Sequence, residues 1–178
     1  MPKTLTPVAT AALMLVVAVA ALAGPAPYPQ ALINKATKTV RSKAVFKKAI
    51  LLEADGTPKA GTKVTTAAGI VNWRFVYDNQ ASRTRFKTVF VKAANGRLGQ
   101  PVGNKSVFVE DNRIPTLPKM TLAAAITKLR AAGHKQPFGA VTLRYPLGPG
   151  FKEPLYIFTI GSRYWSVGMK TGKVKPIS

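Results

Sequence analysis

The chain contains no cysteine, one histidine and only six acidic residues. Without thiols it cannot form a disulfide or a thiolate metal site, and the remaining ligands are too few for a typical zinc site. A histidine-based nucleophilic triad would have to use His134, which follows Gly133 and fits better as a residue at a helix end. Glu110 and Asp111 are adjacent, so a strand would place them on opposite faces, which disfavours paired-carboxylate chemistry. We therefore predict a non-catalytic protein without a metal or cofactor.

A long apolar run occurs only at the amino terminus. Lys3 precedes the nearly uninterrupted apolar stretch Val8–Leu22, and small residues lead up to Gly24. This pattern is typical of a signal peptide, here residues 1–23. The alternative is an uncleaved membrane anchor, but a span needs about 20 apolar residues and this run is shorter and interrupted by Thr10. We predict a secreted or cell-envelope-associated protein with no transmembrane segment after cleavage.

An apolar stripe at helical spacing occurs once in each half of the chain. The first helix is predicted from Tyr28 to about Arg41, and in the second half Thr121 can cap a helix that Gly133 ends. Alternation of apolar and polar residues follows each helix and predicts strands. The predicted strands are 50–53, 71–77 and 86–92 in the first half, and 141–145, 155–160 and 164–169 in the second.

Two similar segments suggest an internal repeat. Residues 91–98 read V-K-A-A-N-G-R-L and residues 167–174 read V-G-M-K-T-G-K-V. The predicted fold class is α+β, with two repeated units that each pack one helix on a three- or four-stranded antiparallel sheet. The linker 114–119 contains two prolines, which interrupt both helices and ladders. It divides the mature chain into units 24–113 and 120–178, which either pack together or share a continuous sheet.

Two smaller features lie between the last predicted strand of the first half and the linker. Residues 106–110 alternate, which favours an additional strand before the linker. Asn104-Lys105-Ser106 has the form of a glycosylation sequon, which is relevant only in a eukaryotic host, so the glycosylation of Asn104 stays open.

The order helix, strand, strand, strand, ending in a turn of the type V-D-A-x-T-G-x-V, resembles the PepSY domain. Two PepSY-like units would cover about residues 28–103 and 119–178, and small helix-on-sheet folds of the cystatin type have a comparable element order. The resemblance implies a location outside the cytoplasm and, for some members, restraint of peptidases. The aspartate that commonly precedes the turn is Lys92 in one unit and Gly168 in the other, so the role of that acid is expected to be missing.

Positive charge is the second strong feature. The chain has 27 Lys and Arg residues against six acids, a net charge of +21, and only Lys3 lies in the predicted leader. A basic surface usually serves solubility, but a net charge of about 2 to 8 suffices for a small domain. The excess therefore favours functional attraction of anionic partners. The candidate anion-binding residues form two groups, namely Lys35, Lys38, Arg41, Lys43, Lys47 and Lys48 in a stretch without acids, and Arg83, Arg85 and Lys87 in a hairpin.

Together these features predict a secreted, non-catalytic binding protein. Its partner would be an anionic wall polymer, a polysaccharide, a nucleic acid, a phospholipid headgroup or an acidic protein. Sequence-specific nucleic-acid recognition lacks support, because no DNA- or RNA-reading motif is present. The alternative is an inhibitor or regulator of a secreted peptidase that acts through a sheet edge or through the loops 55–69 and 146–154.

Overall fold

The computed structural model describes residues 29–117 and 119–177, and in these residues two α-helices accompany one nine-stranded sheet. The predicted signal peptide and the predicted start at Gly24 lie outside the described residues. The helices are α1 (Pro29–Arg41) and α2 (Leu122–Ala131). The strands are β1 (Ile50–Thr57), β2 (Asn72–Asp78), β3 (Thr88–Ala94), β4 (Arg97–Leu98), β5 (Val102–Asn104), β6 (Ala140–Arg144), β7 (Leu155–Ile160), β8 (Arg163–Gly168) and β9 (Val174–Ile177).

All strands belong to one antiparallel sheet with the order β4-β3-β2-β1-β6-β7-β8-β9, and β5 also pairs with β3. The predicted fold class of two repeated helix-on-sheet units is therefore wrong, because β1 from the first half pairs directly with β6 from the second. The physical reason is that β2 satisfies only one edge of β1, and β6 pairs with the backbone groups of the other edge. Of the two arrangements that the short linker allowed, the continuous sheet is the one observed.

Both helices contribute to a single hydrophobic core on one face of the sheet. The predicted helices are confirmed, and Thr121 caps α2 by accepting a hydrogen bond from the Ala124 N–H at 3.1 Å. Gly133 follows α2 with φ +93°, a left-handed conformation that glycine adopts without strain. Trp73, Phe75, Tyr156 and Phe158 alternate along β2 and β7 and point into this core, where they are buried.

The other face of the sheet is crossed by the chain between β5 and α2, residues 105–117, which we call the crossing segment. The predicted strand 106–110 is wrong, since this stretch pairs with no strand and is held by single hydrogen bonds instead. Thr88 Oγ1 donates to the Ser106 carbonyl at 2.7 Å, and the Asn112 N–H donates to the Tyr145 carbonyl at 2.7 Å. The Ile114 N–H then donates to the Leu51 carbonyl at 2.8 Å, which returns the chain to the core.

A carboxylate stabilises the turn after β8. Both the Lys170 and the Thr171 N–H donate to Glu153 Oε2, and Thr171 Oγ1 donates to Glu153 Oε1 at 2.6 Å. A Cβ on Gly168 would lie 2.5 Å from Glu153 Oε1. The glycine therefore makes room for a carboxylate that arrives from the preceding loop, where the PepSY-type turn has its own aspartate.

Replacing Glu153 with alanine is expected to lower the free energy of unfolding by about 1–3 kcal/mol, because the two N–H groups lose a charged acceptor. Burial raises the pKa of Glu153, but the bonds from Thr171 and Lys170 outweigh it and the net pKa is lowered. The stabilisation is therefore present above the ordinary glutamate pKa and is lost as pH falls through the lowered value. Urea unfolding at neutral and acidic pH measures it. Glu110→Ala, at a side chain that is 65% exposed, is the control and should have little effect at either pH.

Candidate anion-binding surface

The two predicted basic groups lie side by side in the structure. After α1 the chain passes through a short 3₁₀ turn, Ala44–Phe46, and the loop between β2 and β3 packs against it. The Lys48 N–H donates to Ser82 Oγ at 3.2 Å, and Asn79 Nδ2 donates to the Val45 carbonyl at 3.0 Å. The rings of Phe46 and Phe86 pack edge to face beneath, with centroids 5.8 Å apart. We call the cations on these two joined loops the basic surface: Lys43, Lys47, Lys48, Arg83, Arg85 and Lys87.

The remaining three predicted residues lie on α1. Lys35 and Lys38 are exposed, on the side of the helix away from the buried Ile33 and Ala36. Arg41 is exposed too, but its Nε donates to the Ala49 carbonyl at 2.8 Å and so fixes the approach to β1. Lys38 and Arg41 occupy the last turn of α1, where positive charge is favourable next to the free carbonyl groups. Arg41 therefore has a structural role of its own.

None of the nine predicted cations lies within ion-pair distance of an acid in the parts of the chain that the structure describes. The ion pairs found there involve Arg74, Arg113 and Arg144 instead. Lys87 Nζ donates to the Thr84 carbonyl at 3.3 Å, and the Arg85 guanidinium lies 4.8 Å from the centre of the Phe86 ring. Neutral groups thus orient these side chains without cancelling their charge, which leaves a positive surface open to anions.

Three of the six acids are gathered elsewhere, on the helix-free face of the sheet. Register places Asp55 of β1 opposite Arg74 of β2, and Glu53 of β1 opposite Arg144 of β6. Arg74 Nη2 lies 2.9 Å from Glu53 Oε1 and 2.5 Å from Asp55 Oδ2. Arg144 Nε lies 2.7 Å from Asp111 Oδ1 of the crossing segment. This carboxylate cluster therefore holds three acids, Glu53, Asp55 and Asp111, against two guanidinium groups.

Burial is the main cause of the raised pKa of Glu53, whose residue surface is 4% exposed. Burial raises its pKa to about 8, with a further increase from Asp55 and Asp111, and Arg74 offsets only part of this because it also pairs with Asp55. Burial raises the pKa of Asp111 as well, against the opposing effect of Arg144. Asp111 Oδ2 is buried and accepts no hydrogen bond from any N–H or hydroxyl group in the described residues. A proton on Glu53, which lies next to Asp111, would give this oxygen a donor and would leave two carboxylates facing two guanidinium groups.

Sequence reasoning missed this cluster. It considered Asp111 only beside its neighbour Glu110 and rejected that pair, whereas the structure places Asp111 against residues of β1 and β6. Only the pairing of β1 with β6 brings these acids together, and no local pattern reports that pairing. The crossing segment contributes Asp111 to the cluster, where Glu53 and Asp111 are buried, whereas the side chains of Arg74 and Asp55 remain 47% and 24% exposed.

His134 follows α2, and its ring packs at a tilt against Trp165, with centroids 3.6 Å apart. Its carbonyl accepts a hydrogen bond from Arg130 Nη1 at 2.6 Å, so the segment after the helix is tied back to α2. Among the described residues no group of three or more His, Asp or Glu side chains is arranged to hold a metal ion. Neither of the two described helices is both long and apolar enough to cross a membrane.

The sheet edge at β9 has few outward hydrogen-bond donors. The Gly168 N–H donates to the Lys173 carbonyl at 2.9 Å. In the register of β8 and β9, the backbone N–H and carbonyl groups of Lys173 and Lys175 therefore point toward β8. Val174 and Pro176 consequently present their backbone outward, and Pro176 has no N–H to donate. Strand addition at this edge would lose a hydrogen bond there. Of the two loops predicted as contact elements of a peptidase inhibitor, 55–69 begins later than predicted, because residues 55–57 belong to β1.

Comparison with known proteins gives one similar fold and no family. No protein-family model matches the chain, and no curated protein matches it significantly. The crystal structure of a "putative lipoprotein" from Clostridium difficile 630 is similar, with a TM-score of 0.57 at 12% sequence identity, covering 85% of this chain and 94% of that chain. At this identity the similarity concerns the fold alone. The resemblance to PepSY domains stays a prediction.

Proposed function

We propose that this chain is an exported, non-catalytic protein that binds an anionic polymer or surface through the basic surface. The observation that carries the proposal is the joining of two loops, distant in sequence, into one area whose cations have no acid partner within ion-pair distance in the described residues. The acids do not pair with these cations, because three lie in the carboxylate cluster, Asp78 pairs with Arg113, Glu110 lies near Arg144, and Glu153 binds the turn after β8. The protein thus separates its charges, and the separation suits it to bind anions.

Two further features support the location outside the cytoplasm. The apolar amino-terminal run followed by small residues has the form of a cleavable leader. The structural neighbour, which shares the fold over 85% of this chain and 94% of its own, is described as a "putative lipoprotein". Anionic partners in that compartment include wall polymers, polysaccharides, released nucleic acid and acidic proteins.

Reversing three charges of the basic surface, Lys47→Glu, Lys48→Glu and Arg85→Glu, should weaken binding to an anionic polymer such as heparin or wall teichoic acid. Each lost contact with an anionic group should also reduce the slope of log Kd against log salt by about 1. Affinity chromatography and titration at several salt concentrations measure both effects.

The matched control reverses three exposed cations elsewhere, Lys59→Glu, Lys135→Glu and Lys152→Glu, for the same change in net charge. If only total charge matters, both triple variants will lose affinity equally and the basic surface has no special role. An affinity that does not respond to salt would contradict the proposal itself.

A further inference from the structure

A cavity opens from the hydrophobic core next to the crossing segment. It has a volume of about 560 Å³ and lies between this segment, the end of β6, the start of β7 and the turn after β8. Ile114 and Met169, both 3% exposed, form its inner wall and belong to the core, and Leu117 and Tyr145 are packed against that core. Most of the remaining wall is apolar as well, with Pro115 and Pro154.

The mouth of the cavity carries positive charge. Arg113, Lys119 and Lys170 line it, and no acid is among the described residues that line it. Arg113 Nε is paired with Asp78 Oδ2 at 2.7 Å, and Lys170 lies near enough to Glu153 to lower the pKa of that acid. Lys119 has no acid within ion-pair distance in the described residues. The cavity thus combines an apolar interior with a cationic mouth.

We propose that this cavity binds an anionic amphiphile, a molecule with one apolar chain and a carboxylate or phosphate head group. Its volume lies in the range of about 300–1,000 Å³ that is usual for small-molecule sites, and such sites have mainly apolar walls with a few polar groups that set orientation. The apolar chain would lie against Ile114 and Met169, and the head group would meet Lys119 and Lys170. An uncharged apolar ligand would leave those cations unused, whereas a small soluble anion would leave the apolar wall unfilled.

The site is separate from the basic surface, so the two proposals can fail independently. The experiment titrates the full mature chain with a fluorescent long-chain fatty acid, below the concentration at which the probe aggregates. Unlabelled fatty acid, its uncharged methyl ester, a single-chain lysophospholipid and acetate are then used as competitors. We expect the fatty acid and the lysophospholipid to displace the probe, the methyl ester to compete at least tenfold more weakly, and acetate to have no effect.

Variants place the probe in this cavity. Lys119→Glu combined with Lys170→Glu changes two exposed side chains and should weaken probe binding about tenfold or more, and Thr116→Trp should weaken it by filling the opening. Lys47→Glu combined with Lys48→Glu makes the same charge change on the basic surface and should leave probe affinity within about twofold. Thermal unfolding of each variant checks that the fold is retained.

Three results would overturn the proposal. One is the absence of saturable probe binding by the unaltered chain, and another is equal competition by the fatty acid and its methyl ester. The third is a concentration-dependent dimer that Thr116→Trp dissociates while probe binding is absent, which would assign the cavity to a second copy of the chain. Light scattering of the same samples measures the oligomeric state.

Discussion

Replacing Glu53 with glutamine is expected to stabilise the protein near pH 8 and to change its stability little below pH 4.5. Glutamine has the shape of the protonated acid and retains an N–H that can donate to Asp111. The unaltered protein must instead either keep a proton on Glu53 or place a third negative charge beside two guanidinium groups. The glutamine variant has no carboxyl group to ionise at this position. The difference in free energy of unfolding between the variant and the unaltered chain therefore grows as pH rises toward 8.

The sign of this pH dependence follows from proton linkage. The pKa of Glu53 is raised from 4.5 to about 8 in the folded state, so the folded chain holds a proton that the unfolded chain has already released between these values. Stability of the unaltered protein is therefore fully present below the unfolded pKa and is lost as pH rises through the folded pKa. The loss approaches about 1.4 kcal/mol for each pH unit in that window. By pH 8 the difference between the two proteins should amount to several kcal/mol.

Urea unfolding of both proteins at a series of pH values measures this difference. Glu110→Gln provides the control, since its side chain is 65% exposed at 3.8 Å from Arg144 and its removal should shift stability by well under 1 kcal/mol at every pH. A stability difference between Glu53→Gln and the unaltered chain that is the same at pH 5 and pH 8 would show that Glu53 titrates normally. The account of the carboxylate cluster would then be wrong.

Local sequence patterns predicted the helices and most strands because their causes are local. The cap at Thr121, the left-handed Gly133 and the stripe of α1 each involve residues within a few positions of one another. The predicted end of β1 was Glu53, because Asp55 and Gly56 are typical loop residues. The strand instead continues to Thr57. The partners of Asp55 and Gly56 lie on other strands: Arg74 compensates the charge of Asp55, and the Trp73 ring lies so close to Gly56 that a Cβ there would be 2.8 Å from it.

The sheet order could not be predicted for a related reason. A repeat in the sequence indicates two similar sets of elements, but it does not say whether the sets have separate sheets. The decisive contact is the antiparallel pairing of Ala54 with Leu143, about ninety residues apart in sequence. Both residues are apolar on either interpretation, so the pattern of hydrophobic residues is the same whether β1 and β6 meet or not.

The candidate site was predictable in its composition but not in its contacts. The runs of Lys and Arg are visible in the sequence, and their exposure follows from their chemistry. Their meeting depends on Asn79, a buried side chain that donates hydrogen bonds to the Val45 and Phe86 carbonyls and so fastens the two loops together. A single asparagine in a polar loop gives no sign of that role before the fold is known.

The pairing of β1 with β6 predicts that both halves of the protein unfold together, and Leu143→Ala is the change that tests it. Leu143 is 1% exposed and lies between Ala54 of β1 and Tyr156 of β7. Its truncation should cost about 2–5 kcal/mol, since it leaves a cavity in the shared core. Because the sheet is continuous, the loss of stability should be equal when it is measured in either half.

The chain has one tryptophan in each half, so each half can be followed by its own fluorescence. Trp73 of β2 reports on the first half when Trp165 is replaced by phenylalanine, and Trp165 of β8 reports on the second when Trp73 is replaced. In both backgrounds Leu143→Ala should lower the urea midpoint by the same amount, and far-ultraviolet circular dichroism should give the same transition. Leu143→Met, which nearly conserves volume, should lower the free energy of unfolding by less than about 1.5 kcal/mol. A midpoint that falls for Trp165 but stays unchanged for Trp73 would mean that the halves unfold separately and that the junction between β1 and β6 contributes little to stability.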